Sequence, residues 1–251
     1  MNVALRGDDG RLADAVAAGG GRVVDGPDAD LVLAVGAESV AEAARADAER
    51  PVLPVDADAG RYGVTTAELA GSDAEGALDT LLAGEWRTVD HPTASVHVAD
   101  EPVTEAALDT LLVTTEPARI SEYAVRFGGE AVTSFRADGV VVATPLGSGG
   151  YARAAGGPLL APDAGMSVVP VSAFATRRDC WVAGDDVTLT VERDEGDVSL
   201  VVDGRSVRPV DPGERVTVSP DAQATLVHAP DLRPGSSGRG DWKNSNDSSS
   251  E

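Results

Sequence analysis

Over residues 1–85, short continuous apolar runs alternate with stretches whose apolar residues recur at helical spacing. "NVALRG" predicts a strand, and "DGRLADAVAAGGG" a helix with Leu12 and Val16 on one face and three glycines as its C-cap. "RVVDG" predicts a second short strand. "ADLVLAVG" is apolar throughout, as expected of a central parallel strand covered on both faces. A helix over "AESVAEAARADAE", with Glu38 or Ser39 near its start, and a strand in "RPVLPVDA" complete a β-α-β-β-α-β succession. That order fits an open parallel sheet whose ligand sits beyond the carboxyl ends of its strands. A further helix is expected in "TAELAGSDAEGALDTLLAG", its better half opening on Ser72 as N-cap.

From about residue 86 the period changes. "WRTVDHPTASVHVAD", "ARISEYAVRF", "EAVTSFRADGVVVAT", "MSVVPVSAF", "DCWVAGDDVTLTVERD", "GDVSLVVDGRSVRPV" and "GERVTVS" are short alternating or β-branched runs separated by turn residues. They predict a β-rich second domain, with helices only in "EPVTEAALDTLLVTT" and the Ala-rich "GYARAAGG". The expected organisation is an α/β domain over 1–85, a β-rich domain over 86–232 and a disordered Gly/Ser/Asn tail over 233–251.

Composition narrows the function. The 42 acidic residues against 20 basic ones leave a formal charge of −22, and the one lysine is Lys243. Acids spread along the chain rather than blocked predict a solvated surface suited to concentrated salt, and few cations argue against nucleic-acid binding. One cysteine, Cys180, excludes an internal disulfide and a thiolate metal cage. His91, His97 and His228 show no metal-ligand spacing. No apolar run reaches membrane-spanning length, so a soluble cytoplasmic protein is expected.

The chemistry concentrates in "VVVATPLGSGGYARAAGGP", a strand, a glycine turn and a helix start. Thr144, Ser148, Gly149, Gly150 and Tyr151 offer hydroxyls and exposed backbone N–H groups to a phosphate or ribose. There is no P-loop lysine and no G-x-G-x-x-G spacing. The wider segment "SFRADGVVVATPLGSGGYARAAGGPLL" resembles the core of the NAD kinase family, through Asp138-Gly139, Thr144-Pro145, Gly147-Ser148, Tyr151 and Ala155-Gly156-Gly157-Pro158. Leu146, Gly149 and Gly150 stand where that family has Thr, Thr and Ala. "SLVVDGRSV" resembles its Asp-Gly-Gln strand with Arg205 for Gln, and "VVPVSAFATRRDCWV" a worn Pro-Ile-Cys-Pro-His segment. "ARISEYAV" resembles its Leu-Asn-Glu/Asp segment, with Ser121 for Asn and Glu122 retained.

The resemblance implies phosphorylation of the adenosine-ribose 2′-hydroxyl of NAD by ATP or polyphosphate with a divalent cation such as Mg2+. It implies a homodimer or homotetramer with the site between the two domains. By carry-over, Ser121 and Glu122 face a ribose or base, and Gly149 to Ala154 line the nucleotide. Arg136 and Asp138 contact the nicotinamide side, across a subunit interface or within the chain, and Arg205 lies near the second ribose or base.

The departure is at the family's Gly-Gly-Asp-Gly, which becomes Gly36-Ala37-Glu38-Ser39. Glu38 keeps a carboxylate one methylene longer, while Ala37 and Ser39 add Cβ atoms where donor phosphates approach, most costly if φ is positive. The bland reading of Glu38 is an acid in the first turn of a helix. "DADAGRYGV" resembles Asn-x-Gly-x-Leu-Gly-Phe, keeping Gly60 and Gly63 but with Asp58 for Asn and Val64 for Phe. After His228 the chain dissolves into tail, which predicts weaker bracing between the domains. Two functions follow: an NAD kinase with Glu38 as base, or a silent NAD(P)-binding paralogue.

Overall fold

The computed structural model describes residues 1–7, 10–46, 50–71, 76–116, 119–174, 179–194 and 196–232; Ser72 and residues 233–251 lie outside these. Strands β1 (Asn2–Arg6), β2 (Arg22–Val23), β3 (Leu31–Val35) and β4 (Val52–Val55) form a parallel sheet in the order β2-β1-β3-β4. Successive side chains of a strand point to opposite faces. Leu31 and Leu33 therefore pack with Leu12 and Val16 of helix α1 (Arg11–Ala18), while Val32 and Ala34 pack with Val40 and Ala44 of helix α2 (Gly36–Ala46). Both faces are covered, which is why this strand is apolar at every position. The chain leaves β1 for one neighbour, β2, and returns to the other, β3. The crevice beyond their carboxyl ends is thus a topological switch point.

The helix expected over 66–84 is two short ones, α3 (Thr66–Ala70) and α4 (Ala77–Ala83). Thr65 and Glu68 form a capping box that starts the first, and Gly76, at φ +84°, precedes the second.

The remaining strands are β5 (Thr88–Val98), β6 (Glu101–Ala106), β7 (Asp109–Thr114), β8 (Ser121–Phe127), β9 (Glu130–Ala137) and β10 (Gly139–Ala143). They continue as β11 (Met166–Val171), β12 (Trp181–Ala183), β13 (Val187–Arg193), β14 (Val198–Val202), β15 (Arg205–Val210) and β16 (Arg215–Val227). One sheet runs β12-β11-β10-β7-β14-β15, and β5, β6, β8, β9, β13 and β16 oppose it. Tyr123, Val140, Val168, Leu189 and Leu200 fill the space between. Helix α5 (Tyr151–Ala154) is a single turn against the outer face of the first sheet. The helix expected in 101–115 is instead the β6–β7 pair of strands. Its Ala and Leu spacing is helical, but β-branched Val103, Thr104, Thr110, Val113 and Thr114 and pairing with β10 and β14 decide for strand.

The C-terminal strand corrects the expectation of weak bracing. β16 pairs along its length with β5, joins β13 at its start, and places Leu226 parallel to Val52 of β4 at its end. The two halves thus share one sheet. Val227 at its end, and Ala229 and Leu232 beyond it, are buried in the core that also holds Leu12 and Leu81. Arg87 and His228 both hydrogen-bond the carboxylate of Asp231. Burial opposes its ionisation, but those bonds outweigh burial and hold it down at about 2.

Candidate functional site

A cleft of about 430 Å³ opens between the halves, lined by Ala37, Ala57 and Asp58 on one side and Leu108, Asp109, Leu146, Gly150, Tyr151, Ala154 and Asp203 on the other. An adjoining recess of about 480 Å³ shares Ala57 and Asp58 and adds Gly60, Gly63 and Gly149. Three chain segments that are far apart in sequence meet here, each entering from the end of a strand.

The first segment follows β3. Gly36 has φ +80°, a left-handed conformation that favours glycine, and α2 begins at it. Ala37 and Ser39 do not have positive φ, so the anticipated backbone strain is absent at both. The Ala37 methyl faces the cleft, whereas Ser39 lies against the Cα of Gly7 at the end of β1. Glu38 directly follows Ala37, is not itself among the lining residues, and is exposed. Its Oε1 accepts from Nε of Arg205 at 3.1 Å and also from Nη2. The hydrogen bond and charge of Glu38 push the Arg205 guanidinium further up.

The second segment follows β4. Asp56 and Asp58 have φ +48° and +50°, and short polar side chains tolerate that region better than most. Behind them Tyr62 sets its ring edge-on to His91 of β5, 4.4 Å between centroids. His91 is fully buried, and neither ring nitrogen has a hydrogen-bond partner among the described residues. Burial lowers it to about 4 against the opposing charge of Asp90.

The third segment follows β10, and its polar groups are spent internally. Thr144 Oγ1 donates to the Ala107 and Leu108 carbonyls at 2.6 and 3.1 Å and accepts from Gly147 N. Ser148 Oγ donates to the Pro145 carbonyl at 2.7 Å and accepts from Leu160 N at 3.0 Å. Both side chains, assigned to the ligand from sequence, are buried and hold the loop's shape, and Thr144 also lines a separate recess of about 370 Å³. Gly149 is glycine for a similar reason, since a Cβ there would collide with the Asp58 carbonyl. Gly150, Tyr151 and Ala154 do line the cleft.

Asp203 ties these parts together. In the turn between β14 and β15, at φ +48°, its carboxylate accepts from the backbone N–H groups of Ala107 (3.0 Å), Leu108 (2.7 Å) and Asp109 (3.1 Å), and from Arg45 of α2. Burial, then the charge of Asp203, pushes the Asp109 carboxyl up to about 6.

The model of the ATP-NAD kinase C-terminal domain matches residues 107–228. The NAD kinase of Tolumonas auensis is 32% identical over 217 residues, which is 82% of this chain and 74% of that one. The chain belongs to the NAD kinase family. The NAD kinase of Thermoplasma acidophilum is 28% identical over 195 residues, 76% of this chain and 70% of that one. Among solved structures, an NAD kinase from Archaeoglobus fulgidus in complex with ATP superposes with a TM-score of 0.67 at 20% identity, covering 93% of this chain and 96% of its own. A yeast NADH kinase complexed with NADH superposes at 0.70 and 15% identity, covering 90% and 83%. These two share the fold, an α/β region with parallel strands and a β-rich domain.

The resemblance to the NAD kinase family placed four further residues at the ligand, and the structure does not bring them to this cleft. Ser121 is buried with its hydroxyl 3.0 Å from Thr114 Oγ1, and Glu122 accepts from Ser134 on the neighbouring strand. Asp138 stands at the opposite end of β10 from Thr144, with Arg136 two residues before it on β9. The residues missed from sequence are Leu108, Asp109 and Asp203. Asp203 carried a signal, being the Asp of the quoted Asp-Gly pair, and Asp109 was hidden in a segment read as helix. No helix among the described residues is long and apolar enough to cross a membrane.

Proposed function

We propose that this chain phosphorylates the adenosine-ribose 2′-hydroxyl of NAD, with ATP or polyphosphate as donor and Glu38 as general base. The observation that carries the reading is the meeting of the Gly36–Ser39, Asp58–Gly63 and Gly147–Ala154 segments around the cleft and its adjoining recess, with a solvent-exposed carboxylate, Glu38, directly after the lining Ala37. That position favours turnover over a silent paralogue, because a hydroxyl in the cleft has a carboxylate within the reach of one side chain. The motif departs from Gly-Gly-Asp-Gly by two added side chains and one methylene at Glu38, and it keeps glycine where φ is positive.

The ligand side is re-registered. Leu108-Asp109-Thr110, rather than Ser121-Glu122, takes the place of the Leu-Asn-Glu/Asp segment, since Leu108 and Asp109 reach the cleft. Residues 1–85 then carry the donor loop and 86–232 the dinucleotide. Mg2+ fits as a cation carried on the phosphates. Among the described residues no group of three His, Cys, Asp or Glu could hold a metal, and Mg2+ commonly uses one or two carboxylates plus substrate phosphates. Asp58 and Asp109 are cleft carboxylates it could meet, and it would neutralise phosphate charge there.

The acid-rich chain with one lysine further supports a high-salt, haloarchaeal-type enzyme, and the family resemblance supports a cytoplasmic dimer or tetramer. The test is NADP formation from NAD with ATP or polyphosphate in molar KCl, compared with Glu38→Gln. The reading requires wild-type turnover that the variant loses while NAD affinity is kept. Turnover that survives the substitution removes Glu38 as base.

A further inference from the structure

The cleft is lined by carboxylates and by no cation. Asp58, Asp109 and Asp203 are among its lining residues, Glu38 directly follows the lining Ala37, and no Lys or Arg is among the residues that line it. A nucleoside triphosphate brings several more negative charges, so the site needs positive charge that can move to them. Arg45 and Arg205 each pair with an acid of, or next to, its lining. The guanidinium of Arg45 is engaged by Asp203, whose side chain is almost wholly buried and also accepts three backbone N–H groups. Removing this cation would leave a buried carboxylate uncompensated. It stays where it is.

Arg205 is differently placed. It is the first residue of β15, directly after Gly204, which lines the cleft, and its partner Glu38 directly follows Ala37, which lines it from the other side. Side chains of both are mostly in solvent, 58% and 71% exposed. An exposed pair is weak and exchanges easily, while a guanidinium fork makes stronger bidentate bonds to phosphate. We propose that Arg205 is the residue that grips the donor's phosphate chain, and that Glu38 holds it in reserve: ATP takes the guanidinium from Glu38, which leaves that carboxylate unpaired. The contact in the free protein is then a competitor for ATP and a shield on the base. This rests on the nucleotide-kinase reading above and adds to it a residue for which the family resemblance predicts a neutral Gln.

The test is a binding cycle with ATP and Mg2+, and with adenosine as an uncharged control, on wild type, Arg205→Gln, Glu38→Gln and the double variant. Arg205→Gln should weaken ATP by about tenfold and leave adenosine unchanged, and Arg205→Lys should restore part of the loss. Glu38→Gln should tighten ATP by about threefold in wild type, but by less than about twofold once Arg205 is gone. Equal tightening in both backgrounds would show simple loss of repulsion and overturn the exchange. Equal ATP affinity of wild type and Arg205→Gln would overturn the grip while leaving the kinase reading intact. If wild type makes no NADP yet loses ATP affinity on Arg205→Gln, the kinase reading fails and the phosphate contact stands. No ATP binding by wild type would remove both.

Discussion

The loop after β3 and the loop after β10 enter the cleft from opposite halves, and they differ in where their polar groups point. By sequence the β10 loop is the more ligand-like, yet Thr144 and Ser148 close hydrogen bonds within their own half and Gly149 makes room for the Asp58 carbonyl. The β3 loop is the more worn, yet it carries the exposed carboxylate and the glycine that needs its positive φ. A loop can therefore keep its motif for the sake of packing, and another can lose most of its motif while retaining an exposed carboxylate.

The sharpest break between the loops is kinetic. Glu38→Gln should lower kcat for NADP formation by about 10²–10⁴-fold with the thermal midpoint unmoved, because an exposed general base acts on the transition state and not on the core. A similar loss of rate in Ser148→Ala, without loss of stability, would reverse the comparison.

Next in size are two buried titrations on either side of the cleft. Asp109, raised to about 6, binds a proton more tightly folded than unfolded, so its contribution is present below about 4 and is lost as pH rises through 6. Asp109→Asn should stabilise by about 2–3 kcal/mol at pH 7 and by little at pH 4. His91, lowered to about 4, behaves oppositely: stability is lost as pH falls from the unfolded value near 6.5 towards 4. His91→Phe should remove about 3 kcal/mol of that acid sensitivity. Urea melts of both variants at pH 4 and 7 check this, and parallel pH curves for wild type and variants would refute it.

Packing comes third. Ser148→Ala leaves Leu160 N without its acceptor and should cost about 1–3 kcal/mol, and Gly149→Ala a similar amount through the clash with Asp58. Calorimetry in molar KCl would read both. Smallest is Ser39→Gly, which restores the family residue. Its side chain faces Gly7, not the cleft, so the rate should stay within about twofold while stability falls by about 0.5–1 kcal/mol from helix propensity. A large gain in rate would mean that Ser39 obstructs the donor.

How much of this was legible follows from which signals are local. Periodicity is local, so the strand at Leu31–Val35, the helix that starts at Gly36 and the β-rich second half could be read directly. Residues 101–115 could not, because the same Ala and Leu residues satisfy a helical period until sheet partners from β10 and β14 decide between them. That misreading concealed Asp109. On the proposed re-registration it also let Ser121-Glu122 stand in for an acid-bearing segment twelve residues too late. Burial is not local either. Nothing in "TPLGSGG" reveals that the Thr144 hydroxyl turns towards Ala107 or that of Ser148 towards Pro145. The left-handed aspartates 56, 58 and 203 left only a faint trace, as Asp in positions where turns favour Asp or Asn.

The closing strand gives the molecule an order of assembly. On a ribosome the β4 edge and the hydrophobic slot beneath α1 and α4 emerge early, but β16 and Leu232, which cover them, are made more than 150 residues later. The first half must wait as an open-edged intermediate, an aggregation-exposed state that long-range pairing imposes. Dense negative charge would keep such nascent chains apart from one another. The same acidic surface would thus guard the protein during its own synthesis.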